Sequence, residues 1–212
     1  IDNLKRLRFV TSHPRDMHED LIQLFGQEEK LMPYLHLPIQ SGSNKILKKM
    51  NRGHTVEYYL DIISRLKKIR PEIAISGDFI VGFPGETEVD FQKTLDVCKI
   101  IKYSQAYSFK YSPRTGTPSF EMKDIPDDIK SNRLSKLQET IFLYQQQFQQ
   151  NLIGSVQAVL IEKIGKFQDQ YVGRTPYMNP VVLKSKQNQI GKIIPVKINS
   201  TNGLSLSGEY VK

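Results

Sequence analysis

The first two thirds of the chain alternate short apolar segments with segments that repeat apolar residues at helical spacing. The apolar segments predict strands at 7–11, 34–39, 73–81 and 106–111. The segments with helical spacing are 16–25, 44–50, 55–69 and 87–101. In the third of these, Val56, Leu60, Ile63 and Leu66 form one apolar stripe. Strands that alternate with helices predict an α/β fold in which a parallel sheet is joined by helical crossovers.

A long helix and a group of short strands follow. Residues 127–150 predict the longest helix, and its apolar positions indicate either a face docked on the sheet, which we favour at this length, or a coiled-coil seam. Those positions are Leu134, Leu137, Ile141, Tyr144 and Phe148. Beyond Gly154, five short strand-like segments separated by turns predict a small OB-like β-barrel. The expected domains are therefore 1–150 and 151–212.

The positive charge is concentrated in the second of these domains. The whole chain has 30 Lys and Arg against 22 Asp and Glu, a formal net charge of +8. Residues 152–212 contribute eight of these cations and three of the anions. A small basic domain indicates a polyanionic partner, nucleic acid first, although a merely solvated surface is the alternative. The single cysteine, Cys98, excludes a disulfide framework and indicates a reducing compartment.

Each predicted strand ends in small or hydrogen-bonding residues, at 11–14, 40–43, 82–87 and 111–114. Parallel strands place their carboxyl ends at one edge of a sheet, so we expect these segments to meet there. Gln40, Ser41 and Ser43 would then direct donors and acceptors at a common pocket, and Gly42 would let a ligand approach the backbone. Any one segment is explained equally well as a turn, but the four together favour a ligand site.

Other catalytic chemistry finds little support in the sequence. Segment 82–87 is Gly-rich and precedes a helix, which suits an anion, but it lacks the Gly-Lys-Ser/Thr of a phosphate-binding P-loop. The four histidines lack metal-ligand spacing, and we predict no metal site. No Gly-x-Ser-x-Gly motif indicates a serine hydrolase. Cys98 shares a helix face with Phe91 and Leu95, which predicts a buried packing residue.

Several long motifs carry a family resemblance. The segments "HLPIQSGSNKILKKMNRGHT", "ISGDFIVGFPGETEVDF" and "YSPRTGTPSFEM" resemble the later part of the radical S-adenosylmethionine methylthiotransferases. The segments "RFVTSHPRDM" and "VGRTPYMNPVV" are similar to the branch that modifies tRNA. The resemblance implies the last four βα units of a partial TIM-type barrel, followed by an RNA-binding TRAM domain.

The resemblance also implies an activity. Enzymes of this family add a methylthio group to an N6-isopentenyl-type adenosine beside the anticodon, using S-adenosylmethionine and two 4Fe–4S clusters. The implied partners are tRNA and S-adenosylmethionine, in the cytoplasm, without a membrane or DNA. The family's Cys-x-x-x-Cys-x-x-Cys motif is missing here, and clusters need thiolate ligands. We therefore expect a fragment of a longer protein, from a truncated or split gene, that is inactive alone.

The resemblance and the strand-end positions together nominate site residues. The residues expected to bind S-adenosylmethionine are Gln40, Ser43, Asp78, Gly82 and Phe83. A turn or helix-capping role explains Asp78 equally well. Arg52 and Arg114 are expected at the pocket rim, facing the substrate or the cofactor carboxylate. For RNA, the basic residues expected in the small barrel are Lys163, Lys166, Arg174, Lys184 and Lys186. The aromatic residues Phe167, Tyr171 and Tyr177 are candidate stacking partners, some of which must be core.

Two other function classes stay open at this point. One is a non-catalytic RNA-binding module from a truncated or split gene, which the missing cluster cysteines favour. The other is a non-radical α/β enzyme that binds a phosphate-bearing ligand at residues 82–87.

Overall fold

The computed structural model describes residues 1–11 and 13–211. Ser12, which belongs to the first predicted strand-end segment, and Lys212 lie outside the described residues. The sheet and its helices are, in chain order, β1 (Leu7–Val10), α1 (Glu19–Gln27), β2 (Leu31–His36), α2 (Asn44–Lys49), α3 (Val56–Ile69), β3 (Ala74–Val81), α4 (Glu88–Ile101), β4 (Gln105–Lys110) and α5 (Asp127–Gln150). The strands of the second unit are β5 (Val156–Ile164), β6 (Gln170–Arg174), β7 (Pro180–Lys184), β8 (Ile193–Thr201) and β9 (Leu206–Tyr210).

The first four strands form one sheet in the order β1-β2-β3-β4, and every neighbouring pair is parallel. This confirms the parallel α/β arrangement predicted from the alternation of strands and helices. Leu35, Ile75 and Phe79 lie on the sheet face that packs on the helices, and each is at most 2% exposed. Because side chains alternate along a strand, the residues between them must lie on the opposite face.

Local signals set the helix ends. Thr87 and Asp90 form a capping box at the start of α4, and Thr55 caps α3 through a hydrogen bond from the Tyr58 amide. Helix α1 begins at Glu19 rather than at Asp16, because Pro14–Asp16 forms a 3-10 turn.

The apolar stripes were predicted only in part. On α3 the fully buried positions include Tyr59 and Ile62, whereas Leu60 is half-buried. On α5, Leu137 and Ile141 pack in the main core, which confirms the docking interpretation. Phe148 instead packs against the core of the small barrel, because the end of α5 reaches the second unit.

The last five strands close into a small barrel, as predicted, and their order is β5-β6-β7-β9-β8. Strands β7 and β9 pair in parallel, and the other pairs are antiparallel. The barrel core consists of alternate strand residues such as Val159, Ile161 and Val196, each fully buried. Leu152 already contributes to this core.

Candidate functional site

The register of the sheet brings a set of mainly polar side chains onto the face away from the helices. Val10 is paired with His36, His36 with Ser76, and Ser76 with Gln105; one step further along, Asp78 is paired with Tyr107. Paired residues in a parallel sheet point to the same side. We call this surface the polar face and define it by Arg8, Tyr34, His36, Ser76, Asp78, Tyr107 and Phe109.

His36 and Asp78 lie at the centre of the polar face. The Nε2 atom of His36 is 3.4 Å from Oδ2 of Asp78, and its Nδ1 atom is 3.0 Å from the Ser76 hydroxyl. A hydroxyl that donates to Nδ1 leaves the ring proton on Nε2, where it faces the carboxylate. The Tyr107 ring lies edge-on to His36 at 6.3 Å between centroids. Asp78 thus takes part in a side-chain pair between strands.

The aromatic side of this face lies on β4. Tyr107 is 47% exposed and Phe109 is 54% exposed, although both belong to a strand. Phe109 is paired with Ile80, which follows Asp78 by two residues toward the carboxyl ends of the strands. The face therefore changes from hydrogen-bonding groups on β2 and β3 to aromatic rings on β4. A planar heterocycle with polar edges suits such a surface.

Gln40 lies next to Asp78 through the backbone. Its amide donates to the Asp78 carbonyl at 2.9 Å, and its carbonyl accepts from the Ile80 amide at 2.9 Å. Gln40 also has a φ of 77°, which is rare for a residue with a side chain. A backbone held in this left-handed conformation at a strand end is typical of functional sites. The backbones of Gln40 and Asp78 thus meet at this edge, and the shared pocket of their side chains stays a prediction.

Two loops form a second polar cluster at the same edge. The Nε2 atom of His13 is 2.6 Å from the Arg52 carbonyl oxygen, and the rings of His13 and His54 meet edge-on at 5.1 Å. Burial lowers the pKa of Arg52, while the carboxylates of Asp78 and Asp16 oppose that shift. Burial, together with the charges of Arg52 and His13, lowers the pKa of His54 to about 4, so its ring is neutral near pH 7. The charges of Arg52 and Asp78 therefore interact, and the rim position of Arg52 stays a prediction.

Ser43 lies away from the polar face. Its hydroxyl is fully buried and donates to Oδ1 of Asp90 at 2.7 Å, and Lys45 and Thr87 also bind that carboxylate. The Ser43 side chain thus joins α2 to α4. The expectation that it meets a ligand overlooked this partner, which is 47 residues away in the sequence.

Gly82 and Phe83 serve packing at the strand end. Gly82 has a φ of 75°, and a Cβ atom there would lie 2.3 Å from Cγ of Lys130. Phe83 is 5% exposed, and its ring lies edge-on to Tyr111 at 5.0 Å, in a small cluster with Ile46. Both residues lie at the expected edge, but the ring of Phe83 is covered by its neighbours. Arg114, in the loop after β4, is exposed.

The basic residues of the barrel divide into two groups. Lys163, Lys166, Lys184 and Lys186 are exposed. Arg174 is half-buried, and its Nε atom lies 3.2 Å from a carboxylate oxygen of Glu162.

The three barrel aromatics divide in the same way. Phe167 is 65% exposed, with the Lys166 ammonium 5.9 Å from its ring centroid. Tyr171 and Tyr177 pack against the barrel core. Of the three stacking candidates, Phe167 therefore has the most exposed ring.

Within residues 1–11 and 13–211, no cluster of three His, Cys, Asp or Glu side chains is arranged to hold a metal ion. Cys98 is fully buried in the main core, and burial raises the pKa of its thiol to about 12. This placement confirms the packing role predicted for Cys98. The helices in the same residues include none with the length and apolar character needed to cross a membrane.

Sequence reasoning missed His36, Tyr107 and Phe109. The signal that could have found them is the alternation of side chains between the two faces of a strand. Asp78 was nominated, and residues two apart on its strand share its face, as do their partners on neighbouring strands. The register was needed to identify those partners.

Two family models match the chain. The radical SAM superfamily matches residues 1–98, and the TRAM domain matches residues 150–211. The tRNA-2-methylthio-N(6)-dimethylallyladenosine synthase of Rickettsia rickettsii (strain Sheila Smith) is 56% identical over 100% of the chain and 48% of its own length. The protein of the same name from Rickettsia felis is 54% identical over the same shares. The chain spans about half the length of these curated relatives.

Among solved structures, the radical SAM enzyme coproporphyrinogen III oxidase from Escherichia coli has a similar fold. It aligns with a TM-score of 0.52 and 17% identity, over 81% of this chain and 46% of the other. At this identity the match concerns the fold alone.

Proposed function

We propose that the chain, whose residues 1–98 match the radical SAM superfamily and residues 150–211 the TRAM domain, forms the C-terminal part of a tRNA methylthiotransferase. The proposed reaction adds a methylthio group to an N6-isopentenyl-type adenosine next to the anticodon. Support comes from relatives named tRNA-2-methylthio-N(6)-dimethylallyladenosine synthases, which are 54–56% identical over the whole chain. We also propose that it acts in the cytoplasm, with tRNA rather than DNA as its partner.

In this proposal residues 1–150 are the end of the radical SAM domain and residues 151–212 are the TRAM domain. The core contact of Leu152 with the small barrel supports a boundary near residue 151. The four parallel strands would be the last four of a partial TIM-type barrel. Their consecutive order, with the helices on one face, supports this arrangement.

The observation that carries the cofactor proposal is the junction of Gln40 and Asp78 at the end of the polar face. S-adenosylmethionine carries hydroxyl, ammonium and adenine N–H donors together with carboxylate and ring-nitrogen acceptors. The Asp78 carboxylate and the His36 ring provide groups of both kinds on the polar face. The Gln40 side chain would add its own amide beside them, since the Gln40 backbone amide is already bound to the Asp78 carbonyl. We therefore propose these three as the cofactor contacts. Ser43, Gly82 and Phe83 would support that edge through packing instead of touching the ligand.

This chain would not hold the two 4Fe–4S clusters of the proposal. Their thiolate ligands would have to come from beyond this chain, because Cys98 is enclosed in the core. The relatives extend over about twice this length, which leaves room for such ligands. S-adenosylmethionine, when bound, supplies radical chemistry.

The residues of this chain would bind and orient. The carboxylate of Asp78 holds the His36 ring in place, and the rings of Tyr107 and Phe109 offer a platform for a purine base. An apolar group on N6 of that base would find the aromatic side of the face. Arg52 at the rim would meet a carboxylate or a phosphate, and the exposed Arg114 would do the same from its loop.

For tRNA, we propose that the four exposed barrel lysines follow the phosphate backbone while Phe167 stacks on a base. The lysines are Lys163, Lys166, Lys184 and Lys186. Arg174 was included with them on sequence grounds. Its contacts with Glu162 and with the Met178 carbonyl support a structural role instead.

The test uses the full-length protein with its clusters reconstituted. The substrate is an anticodon stem-loop carrying N6-dimethylallyladenosine, and the product is measured by mass spectrometry. Asp78→Asn should weaken S-adenosylmethionine binding by about tenfold or more, because a charged hydrogen-bond acceptor is lost. Asp20→Asn, which makes the same change on the exposed surface of α1, should bind like the unsubstituted protein.

Two results would oppose the proposal. Unchanged cofactor affinity in Asp78→Asn would remove Asp78 from the site. A cluster-loaded protein that binds the stem-loop but forms no methylthio product would favour the non-catalytic RNA-binding module.

A further inference from the structure

Two arginines at the start of the sheet reach the small barrel. Arg6 donates to the carbonyl oxygens of Arg174 and Ala158. Arg8 donates to the carbonyl oxygens of Pro176 and Thr175, at 2.9 Å and 3.1 Å. All four acceptors are backbone atoms, so each guanidinium binds the barrel through two hydrogen bonds with defined directions. These contacts join residues more than 150 positions apart in the sequence.

The surroundings of this clamp are strongly cationic. Burial is the main cause that lowers the pKa of both Arg6 and Arg8, and for Arg8 the charges of Arg6 and Arg174 add to it. Glu162 opposes that shift and is the ion-pair partner of Arg174. Of the three guanidiniums, that of Arg174 pairs with the Glu162 carboxylate, whereas those of Arg6 and Arg8 donate to backbone carbonyl oxygens. Such hydrogen bonds between an ion and the backbone are stronger than an exposed surface pair.

A second connection ties the barrel to α5. The Gln145 side chain donates to the Gly203 carbonyl at 3.4 Å, and the Thr201 hydroxyl donates to Oε1 of Gln149 at 2.5 Å. The rings of Phe148 and Tyr177 meet edge-on at 5.6 Å. The chain itself continues from α5 into the barrel through residues 151–155.

The two connections lie at opposite edges of the sheet. Strand β1 is one edge of the four-stranded order and β4 is the other, and α5 packs on β4. The barrel is thus held at α5 on one side and at β1 on the other. Without the β1 contacts, the barrel would depend mainly on its connection to α5 and could turn about that end.

We propose that Arg6 and Arg8 are positioning residues that fix the small barrel relative to the polar face. This rests on the proposed function. RNA bound on the barrel lysines would then present its target adenosine at a set distance and angle from Gln40 and Asp78. Neither arginine touches RNA in this scheme, because its donors are directed at barrel carbonyls. Reaction rates depend steeply on such placement, and a shift of about 1 Å can cost about a hundredfold.

The structural test measures a distance in this chain. Spin labels are attached at Lys48→Cys on α2 and Asn199→Cys on β8, two exposed positions, while the buried Cys98 stays unlabelled. The labelled chain should give one narrow distance distribution. Adding Arg6→Ala and Arg8→Ala together should broaden it. The control Lys5→Ala removes an adjacent exposed charge and should leave it narrow.

The functional test uses the full-length, cluster-loaded protein. The double alanine variant should keep its Kd and KM for the stem-loop within about threefold, while kcat falls by about ten- to a hundredfold. Replacing both arginines with lysine should restore part of kcat, since an ammonium also donates to carbonyls.

Three outcomes are decisive. A distance distribution that stays narrow in the double alanine variant would overturn the clamp. Equal losses of RNA affinity and kcat would make the arginines RNA contacts, which also overturns the proposal. If the unsubstituted protein forms no product, the proposed function fails, and the distance measurement still decides whether the arginines hold the barrel.

Discussion

Replacing Arg133 with methionine tests how the loop after β3 is held at the strand ends. The Glu86 side chain is 0% exposed and that of Arg133 is 8% exposed, with 2.8 Å between Nη1 and Oε2. The same nitrogen donates to the Glu86 carbonyl at 3.1 Å, and the Gly82 amide donates to Oε2 at 2.8 Å. One α5 side chain therefore docks this loop, which connects Asp78 and its strand to α4.

The expected loss follows from the burial of the pair. Removing one partner of a buried ion pair leaves the other charge uncompensated and costs about 3–5 kcal/mol. With an m-value of about 2 kcal/mol/M in urea, the unfolding midpoint should fall by about 1.5–2.5 M.

The loss should depend on pH in a defined direction. Burial raises the pKa of Glu86, and the Gly82 amide and the Arg133 guanidinium oppose that shift. Without Arg133 the pKa rises further, so the buried carboxyl takes up a proton at a higher pH. A neutral carboxyl costs less to bury, so the loss should be larger at pH 8 than at pH 5.

The assay is urea unfolding followed by circular dichroism, on Arg133→Met, Glu86→Gln and the double variant. The double variant should lose less than the sum of the single losses, because the two groups interact directly. Lys136→Met is the control, since it makes the same replacement at an exposed position of α5. A midpoint for Arg133→Met within about 0.3 M of this control, well below the shift expected from m, would refute the reasoning. So would equal losses at pH 5 and pH 8.

Three further outcomes are expected. Burial alone would raise the pKa of Asp90, but hydrogen bonds from Lys45 and other groups lower it well below 3.8. The ionised Asp90 carboxylate therefore stabilises the fold above that pH, and this contribution is lost below it. Asp90→Asn should accordingly destabilise the chain by about 1–3 kcal/mol at pH 7 and by less in acid. Parallel urea-stability curves for the two proteins would contradict this. Because the Cys98 thiol is buried and its pKa is raised to about 12, a disulfide reagent at pH 8 should react only after unfolding, and rapid labelling of the folded chain would count against it. Lys184→Ala should reduce the slope of log K against log salt for stem-loop binding by about one, whereas Lys99→Ala on α4 should not; identical slopes would remove Lys184 from the RNA surface.

The sequence alone determined the features that depend on neighbouring residues. The bounds of α5 and the five barrel strands follow from patterns within a few residues, and the structure confirms them. The parallel order of the sheet followed from the alternation of strands and helices. Together with the strand-end motifs, these features also placed Gln40 and Asp78 at one edge.

Tertiary structure decided which of the nominated side chains can meet a ligand. Alternation along a strand shows that two residues share a face, but the docking of the helices determines which face is covered. That docking left His36 and Phe109 partly exposed and used the Ser43 hydroxyl for Asp90. Arg8 and its carbonyl partners are likewise remote in sequence. The reason is that a polar group takes whichever partner the fold brings within about 3 Å, and register and crossovers set that partner over distances that no local pattern records.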